Sequence, residues 1–374
     1  MNLRRHALTG LFAVVALTLA ITTYASTQLF SNFTSDIERG QFELMQATVE
    51  SKLRVTEGRA ASRAAMIVDM PSVRRLFAAR DRDGLNAELH DVWTTQHDQY
   101  GAAMMQFHTP PGISFLRLHH PEQFGDDLTT YRPLVVAVNA DHAPHVGNAL
   151  SRSGPSVTAI APVLDAAGAY IGSFEVGMDF GPVLDDLDES YGLVSSLFIL
   201  EAPLREIATS MDASVLDDEH RVGPYMRLAS TNAELSRALV TSTDLTHVEE
   251  PTRYVRETPS APYGVLLYPI RTSSGDAIGV ISVARDFSST RSATGRSRVW
   301  QALLALLAVV VLWGVIAIVV RGMLLSPVLL IAERLRQVAR GEASEPIPDA
   351  EKLPAEIRAL AESHELLRQK EQDK

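Results

Sequence analysis

The 374-residue sequence predicts an α+β protein: a long N-terminal helix and two tandem modules of one fold, held between two membrane-spanning helices and followed by a short helical tail. Three observations predict it. Two charge-free apolar stretches, residues 7–29 and 299–320, lie near the two ends of the chain. Each is long enough to cross a hydrocarbon core of ~30 Å as a helix, which takes about 20 residues. One sequence pattern occurs twice at an offset of 107 residues. A stretch rich in Ala, Glu, Arg and Gln, interrupted only by Gly40, Gly58 and the late Pro71, precedes the first copy.

Residues 1–6 form a short N-terminal segment with Arg4 and Arg5 next to the first span. Arg321, Arg334 and Arg336 follow the second span. Basic residues flank membrane spans on the cytoplasmic side. Both termini are therefore expected inside and residues 30–298 outside, although Arg291, Arg296 and Arg298 count against that orientation. The first span reads as an uncleaved anchor. Its apolar run exceeds the usual signal-peptide core, and no clear small-x-small site follows it.

From Phe33 to Phe77 apolar residues recur at helical spacing, namely Phe42, Met45, Val49, Leu53 and Val55. A shorter helix is expected over Arg82–Tyr100. The repeat then reads Pro162-Val163, Gly168, Ile171-Gly172, Val176, Asp179-Phe180, and again Pro269-Ile270, Gly275, Ile278-Gly279, Val283, Asp286-Phe287. Each copy predicts a hairpin. Strands 157–164 and 170–180 flank a turn at 165–168, and strands 264–270 and 277–287 flank one at 273–276. Two copies are too few for a solenoid and suit two tandem domains, a distal one over about 78–190 and a proximal one over about 191–290.

Composition excludes several classes of function. The chain has no cysteine, which removes disulfides and Cys-based zinc, iron–sulfur and thiol chemistry. Its net charge of −11 argues against nucleic-acid binding. There is no Gly-rich phosphate loop, nucleophile elbow or metalloprotease motif, so neither an enzyme nor a cofactor is expected.

The runs Phe107-His108-Thr109-Pro110-Pro111, Ser114-Phe115-Leu116-Arg117, Phe124-Gly125-Asp126-Asp127 and Tyr131-Arg132, with Ile171 to Met178 after them, resemble a double Cache (dCache_3-like) sensor domain. Such domains occur on bacterial chemoreceptors, sensor kinases and cyclases. The resemblance covers about 33–290 and implies PAS-like modules on the outer face of the bacterial inner membrane. Residues 321–374 resemble a HAMP linker. Pro327 is followed by Val328, Ile331, Leu335 and Val338, then by Gly341, Ile347, Glu356-Ile357 and Leu360. Pro354-Ala355 precedes Glu356, and Arg358 stands where the family usually has Gly. HAMP units are dimeric four-helix bundles, which implies a homodimer and a cytoplasmic output domain or partner.

Polar and charged groups crowd the band from Phe107 to Tyr131 and Arg132 between apolar residues, as in a ligand pocket. Arg117 or Arg132 can clamp a carboxylate with two parallel hydrogen bonds. Asp126 or Asp127 can hold an amine. His108 belongs to the same band. Glu175 is mid-strand in the first repeat and aligns with Ser282 in the second. Strand alternation places Ser173, Glu175 and Gly177 on one face. An amino acid, carboxylate or amine is thus expected in the distal module. The pair His119-His120 lacks a standard metal-ligand spacing, and no metal is expected. Ser363-His364-Glu365-Leu366 resembles a phosphoacceptor box but continues Leu367-Arg368 where Arg-Thr-Pro is usual. The rival reading is an accessory protein whose outer domain docks another envelope protein.

Overall fold

The computed structural model describes residues 2–246, 248–340, 345–348, 350 and 355–372. Gly341 and Pro354 of the tail motif lie outside the described residues, as do the side chains of residues 2–14, 292–301 and 351–356. The chain divides into two units, Met1–Phe33 with Ala293–Lys374, and Thr34–Ser292.

Helix α1 (Asn2–Val68) is followed by α2 (Pro71–Ala78) and α3 (Arg82–Tyr100). The expected helix 33–77 thus breaks at Asp69-Met70. A residue before proline is pushed out of the α region, and Met70 is extended while Pro71 takes the first helical position of α2. The Asp81 side chain caps α3 by accepting from the Gly84 amide, and Gly101 ends it at φ +69°.

The distal module continues with β1 (Ala102–Thr109), β2 (Ile113–Arg117), α4 (Pro133–Asp141), β3 (His145–Ser151), β4 (Gly154–Leu164), β5 (Tyr170–Met178) and α5 (Gly181–Tyr191). The proximal module has β6 (Val194–Leu200), α6 (Glu201–Ile207), β7 (Arg221–Val222), β8 (Tyr225–Ser230), α7 (Ala233–Leu239), β9 (Thr252–Glu257), β10 (Pro262–Arg271) and β11 (Ala277–Asp286). The sheet orders are β2-β1-β5-β4-β3 and β7-β8-β6-β11-β10-β9. With β6 and β8 in the places of β1 and β2, the two antiparallel sheets share one topology. The repeat forms the hairpins β4–β5 and β10–β11 in the same register, with Ile160 opposite Glu175 and Leu267 opposite Ser282.

Close backbone approach explains one repeated glycine. A Cβ on Gly172 would lie 2.2 Å from the His108 carbonyl oxygen, and one on Gly279 would lie 2.4 Å from that of Phe198. These carbonyls occupy corresponding places on β1 and β6.

One face of both sheets packs on α1 and its neighbours. Phe42, Met45, Val49 and Leu53 share a core with Phe107, Phe174, Val176, Val283 and Phe287. Val55, expected on that face, is instead 46% exposed. The opposite face of the distal sheet is covered by α4 through Leu134, Val135 and Val138. In the proximal module Leu239, Val240, Leu245 and Val248 cover the corresponding face.

α8 (Ser288–Val319) begins in the sheet-bearing unit and continues into the other, where a π-helical stretch, Val320–Leu325, and then α9 (Ser326–Ala339) and α10 (Ala355–Gln372) follow. Ile331, Ile357 and Ala361 form the contact between α9 and α10, joined by Val328, Leu335 and Ile347. The backbone is helical over 7–29 and 299–319. Among the described residues, no helix is long and apolar enough to cross a membrane.

Candidate functional site

Glu175 stands at the centre of the distal sheet on its α4 side. Its neighbours across β1 are set by register, Gln106 opposite Glu175 and His108 opposite Ser173. Gln106 Nε2 donates to Glu175 Oε2 at 2.7 Å, and His108 Nδ1 lies 3.0 Å from Ser173 Oγ. Arg132, just before α4, donates through Nη2 to Glu175 Oε1. Glu175 and His108 are fully buried and Arg132 is 2% exposed. A buried carboxylate without a partner costs several kcal/mol, so Arg132 is what keeps Glu175 tolerable in this place.

Burial pushes the Arg132 guanidinium down to about 10, which leaves it cationic at neutral pH. Burial, and then the charges of Arg132 and Arg117, hold His108 well below the ordinary imidazole value. Arg132 thus stays cationic beside Glu175 and a neutral imidazole.

Three polar atoms here have no hydrogen-bond partner although buried: His108 Nε2, Ser114 Oγ and Arg132 Nε. His108 Nε2 is 3.3 Å from Glu175 Oε2 but not aligned with it. Ser114 is opposite His108 in the β1–β2 ladder. Buried polar groups are nearly always satisfied, so three such atoms on neighbouring residues single this cluster out as the candidate site.

A second polar group adjoins the first through the Gln106–Arg117 pairing. Arg117 grips Asp126 with two hydrogen bonds of 2.8 Å and also donates to the Gln123 carbonyl. Arg152 Nε is 3.7 Å from the same carboxylate, and the Tyr131 hydroxyl donates to it at 3.4 Å. Burial pushes the Asp126 carboxyl up, but hydrogen bonds from Arg117 and the charges of Arg117 and Arg152 hold it below its usual value.

The structure thus brings His108, Arg132 and Glu175 together, and groups Arg117, Asp126 and Tyr131 beside them. Two expected residues stand apart. Phe107 faces the α1 side, where it packs on Phe77 and Phe174 at 5.1 and 4.4 Å between ring centres. Asp127 is turned onto its own loop, where it accepts from the Thr129 amide at 2.9 Å and hydroxyl at 2.7 Å. His119 lies tilted against Trp93, 5.8 Å between ring centres, and its Nδ1 is 3.2 Å from the Met105 carbonyl oxygen, while His120 meets Glu122 at 3.4 Å. Among the described residues no group of three or more His, Asp or Glu side chains can hold a metal. Gln106 escaped the sequence reading. Its place two residues before His108 on one strand put it on the same face and was the available signal.

Among its described residues the proximal module lacks this chemistry. The residues in corresponding register are Ser196 opposite Ser282, and Phe198 opposite Val280. Ser196 is satisfied by Ser230 and Ser236 at 2.8 and 2.9 Å.

Residues 56–290, more than half the chain, match the model of the dCache_3 family, described as the double sensory domain of two-component sensor kinases. The chain belongs to this family. No curated protein matches it. Among solved structures, it is similar to the sensory domain of the Campylobacter jejuni chemoreceptor Tlp3 with isoleucine bound, at 11% identity and a TM-score of 0.40 over 71% of this chain and 97% of that one. The sensor domain of the Vibrio cholerae histidine kinase DctB matches at 16% identity and 0.39, covering 66% and 98%. An extracellular ligand-binding receptor from Desulfohalobium retbaense matches at 13% and 0.37, covering 65% of this chain but 40% of that one. As a dCache_3 chain, the protein carries a double sensory domain, and its two sheets are the two modules.

Proposed function

We propose that this chain is a two-pass receptor of the bacterial inner membrane. In this reading its outer distal module binds a small amino acid, carboxylate or amine, and its HAMP-like tail carries the signal inward as part of a homodimer. The proximal module is a spacer and no catalysis is involved. The observation that carries this reading is the set of three orphaned buried atoms around the Arg132–Glu175 pair, with no counterpart among the described proximal residues. A ligand offering an acceptor to Arg132 Nε and a partner to Ser114 Oγ would complete the site.

The membrane reading is supported by α8. Every residue of this helix from 303 to 318 is apolar or glycine, and Leu303, Leu306, Leu307, Val310, Val311, Trp313, Val315 and Ile318, spread over rather more than half of its circumference, are exposed. A helix apolar on every side needs an apolar surrounding. In the tail, Ile331, Ile357 and Ala361 make one seam, while Leu360 and Leu367 are left outward, as in half of a larger bundle.

The test is thermal melting of the full chain in detergent against amino acids, organic acids and amines. A ligand held only by the folded state adds about 2.7 kcal/mol at a hundredfold excess over Kd. The expected hit disappears in Glu175→Ala and Arg132→Ala and survives Ser282→Ala. Silence across the panel from a well-folded protein would leave the docking reading instead.

A further inference from the structure

Just after α6, the proximal module reaches back onto the second polar group of the distal one. The Ser210 amide donates to the Arg152 carbonyl at 2.9 Å, and the Ser210 hydroxyl donates to Gln123 Oε1 at 3.5 Å. Next to it, Met211 packs on Gly154, where an added Cβ would lie 2.8 Å from the Met211 sulfur. Met211 also packs on the core shared with α1.

Both residues held by Ser210 bear on Asp126. Arg152 Nε is 3.7 Å from the Asp126 carboxylate. The Gln123 carbonyl accepts from Arg117, the residue that clamps the same carboxylate. Residues 123–126 form one loop, tied to β2 by two backbone hydrogen bonds. The Gly125 amide donates to the Ser114 carbonyl at 2.8 Å, and the Ser114 amide donates to the Asp126 carbonyl at 3.0 Å. Ser114 carries one of the three orphaned buried atoms. The proximal segment therefore touches the loop that carries Asp126 and pairs with the distal cluster.

This hold is adjustable. Arg152 is 40% exposed, and an ion pair with so much water around it is weak. The modules also meet at Asn148, whose Nδ2 donates to the Arg271 carbonyl at 3.3 Å and whose backbone bridges to Thr272. Beside these contacts a cleft of about 500 Å³ separates the modules, lined by Leu134 and Leu150 of the distal one and by Pro203, Ile207 and Ile278 of the proximal one. α6 and the segment after it thus have free space on one side.

We infer that Ser210 and Met211 are positioning residues for the distal site: they hold Gln123 and Arg152 against the Asp126 group, and a change at that group loosens residues 208–212 in return. Coupling of this kind is reciprocal by thermodynamic necessity. That a ligand makes the change rests on the proposed distal binding. The coupling itself does not, and it is tested without a ligand.

The cysteine-free chain lets a single thiol report on the segment. Ala208 is buried, so in the Ala208→Cys variant of the full chain in detergent a maleimide should react slowly, through local opening of residues 208–212. Ser282→Cys, at a buried position of the proximal sheet, reports any wider opening. Ser210→Pro, which removes the amide donor, should speed labelling at position 208. Arg152→Gln should speed it roughly two- to fivefold, as much as a partly exposed ion pair can shift. Arg152→Lys, which keeps the cation, should restore the slow rate. Labelling at position 282 should be the same in all three backgrounds. A fast rate at position 208 in the parent, or a rate indifferent to Ser210→Pro or to Arg152→Gln, overturns the proposal. So does an equal rise at position 282. So does a lysine variant that behaves like the glutamine one, because packing and not charge would then join the two modules.

Discussion

At the scale of single residues, the Arg132–Glu175 pair decides both stability and binding. Removing one member of a buried pair strands the other and costs about 3–5 kcal/mol, while replacing both by apolar groups is far milder. Glu175→Met should therefore destabilise the protein in denaturant titration by that amount, and the double variant Glu175→Met/Arg132→Met by much less. A loss in the double variant equal to the sum of the Glu175→Met and Arg132→Met losses would mean that the groups do not support each other. Acid acts through the neighbours of this pair. His108 is held well below the ordinary value by burial and by Arg132 and Arg117, and His119 is pushed down to about 3, first by burial and then by His120. In the unfolded chain both titrate near the usual 6.5. Below that pH the unfolded state binds more protons than the folded one, so stability rises with pH across this window and is lost on acidification. Asp126, with its folded value depressed, adds stability that is present above the unfolded 3.8 and lost only on further acidification. Denaturant midpoints measured from pH 7 to pH 5 should fall, and His108→Gln/His119→Gln should flatten that slope. An unchanged slope in the double variant would place the acid sensitivity elsewhere.

At the scale of elements, what was legible was what is local. The β4–β5 and β10–β11 hairpins could be read because each turn carries its own glycine at positive φ, Gly168 at +82° and Gly275 at +94°. α3 has the bounds expected for it, Arg82–Tyr100. The break at Asp69-Met70 was signalled by Pro71 but lies inside an otherwise unbroken helical pattern. Long-range pairing was not legible. Arg132 and Glu175 are 43 residues apart, and only the β1–β5 register brings Gln106 and His108 to the carboxylate. For the same reason Phe107, next to His108, was placed in the site when strand alternation turns it to the α1 side. The repeat makes a prediction at this scale. Because Gly172 and Gly279 face the carbonyls of His108 and Phe198, Gly172→Ala and Gly279→Ala should each cost on the order of 1–3 kcal/mol from forced strand separation. Gly314→Ala, with nothing within 4 Å of its Cβ, is the control. Equal melting temperatures for all three would show that the strands yield without cost.

At the scale of the whole molecule, the question is which parts lie on which side of a membrane. The two-span reading places both sheet modules outside and α9 and α10 inside, and each half has a physical reason. The modules share one apolar core with α1, close a further one each, and pair a buried charge, as folded domains in water must. α9 and α10 have one apolar seam, and their other faces mix charged residues with a few outward leucines, which suits water on the opposite side of the second span. The cysteine-free chain allows each half to be addressed by one residue. Ala167→Cys and Ser274→Cys lie on exposed hairpin turns of the distal and proximal modules, and Glu362→Cys lies on the exposed side of α10. In spheroplasts of a bacterial host, a membrane-impermeant maleimide should label the first two at once and the third only after permeabilisation. Labelling of all three in intact spheroplasts, or of none before permeabilisation, would put the modules and the tail on one side. A signal could then not be carried across the membrane by this chain, and the receptor reading would fail even if the distal module bound a ligand.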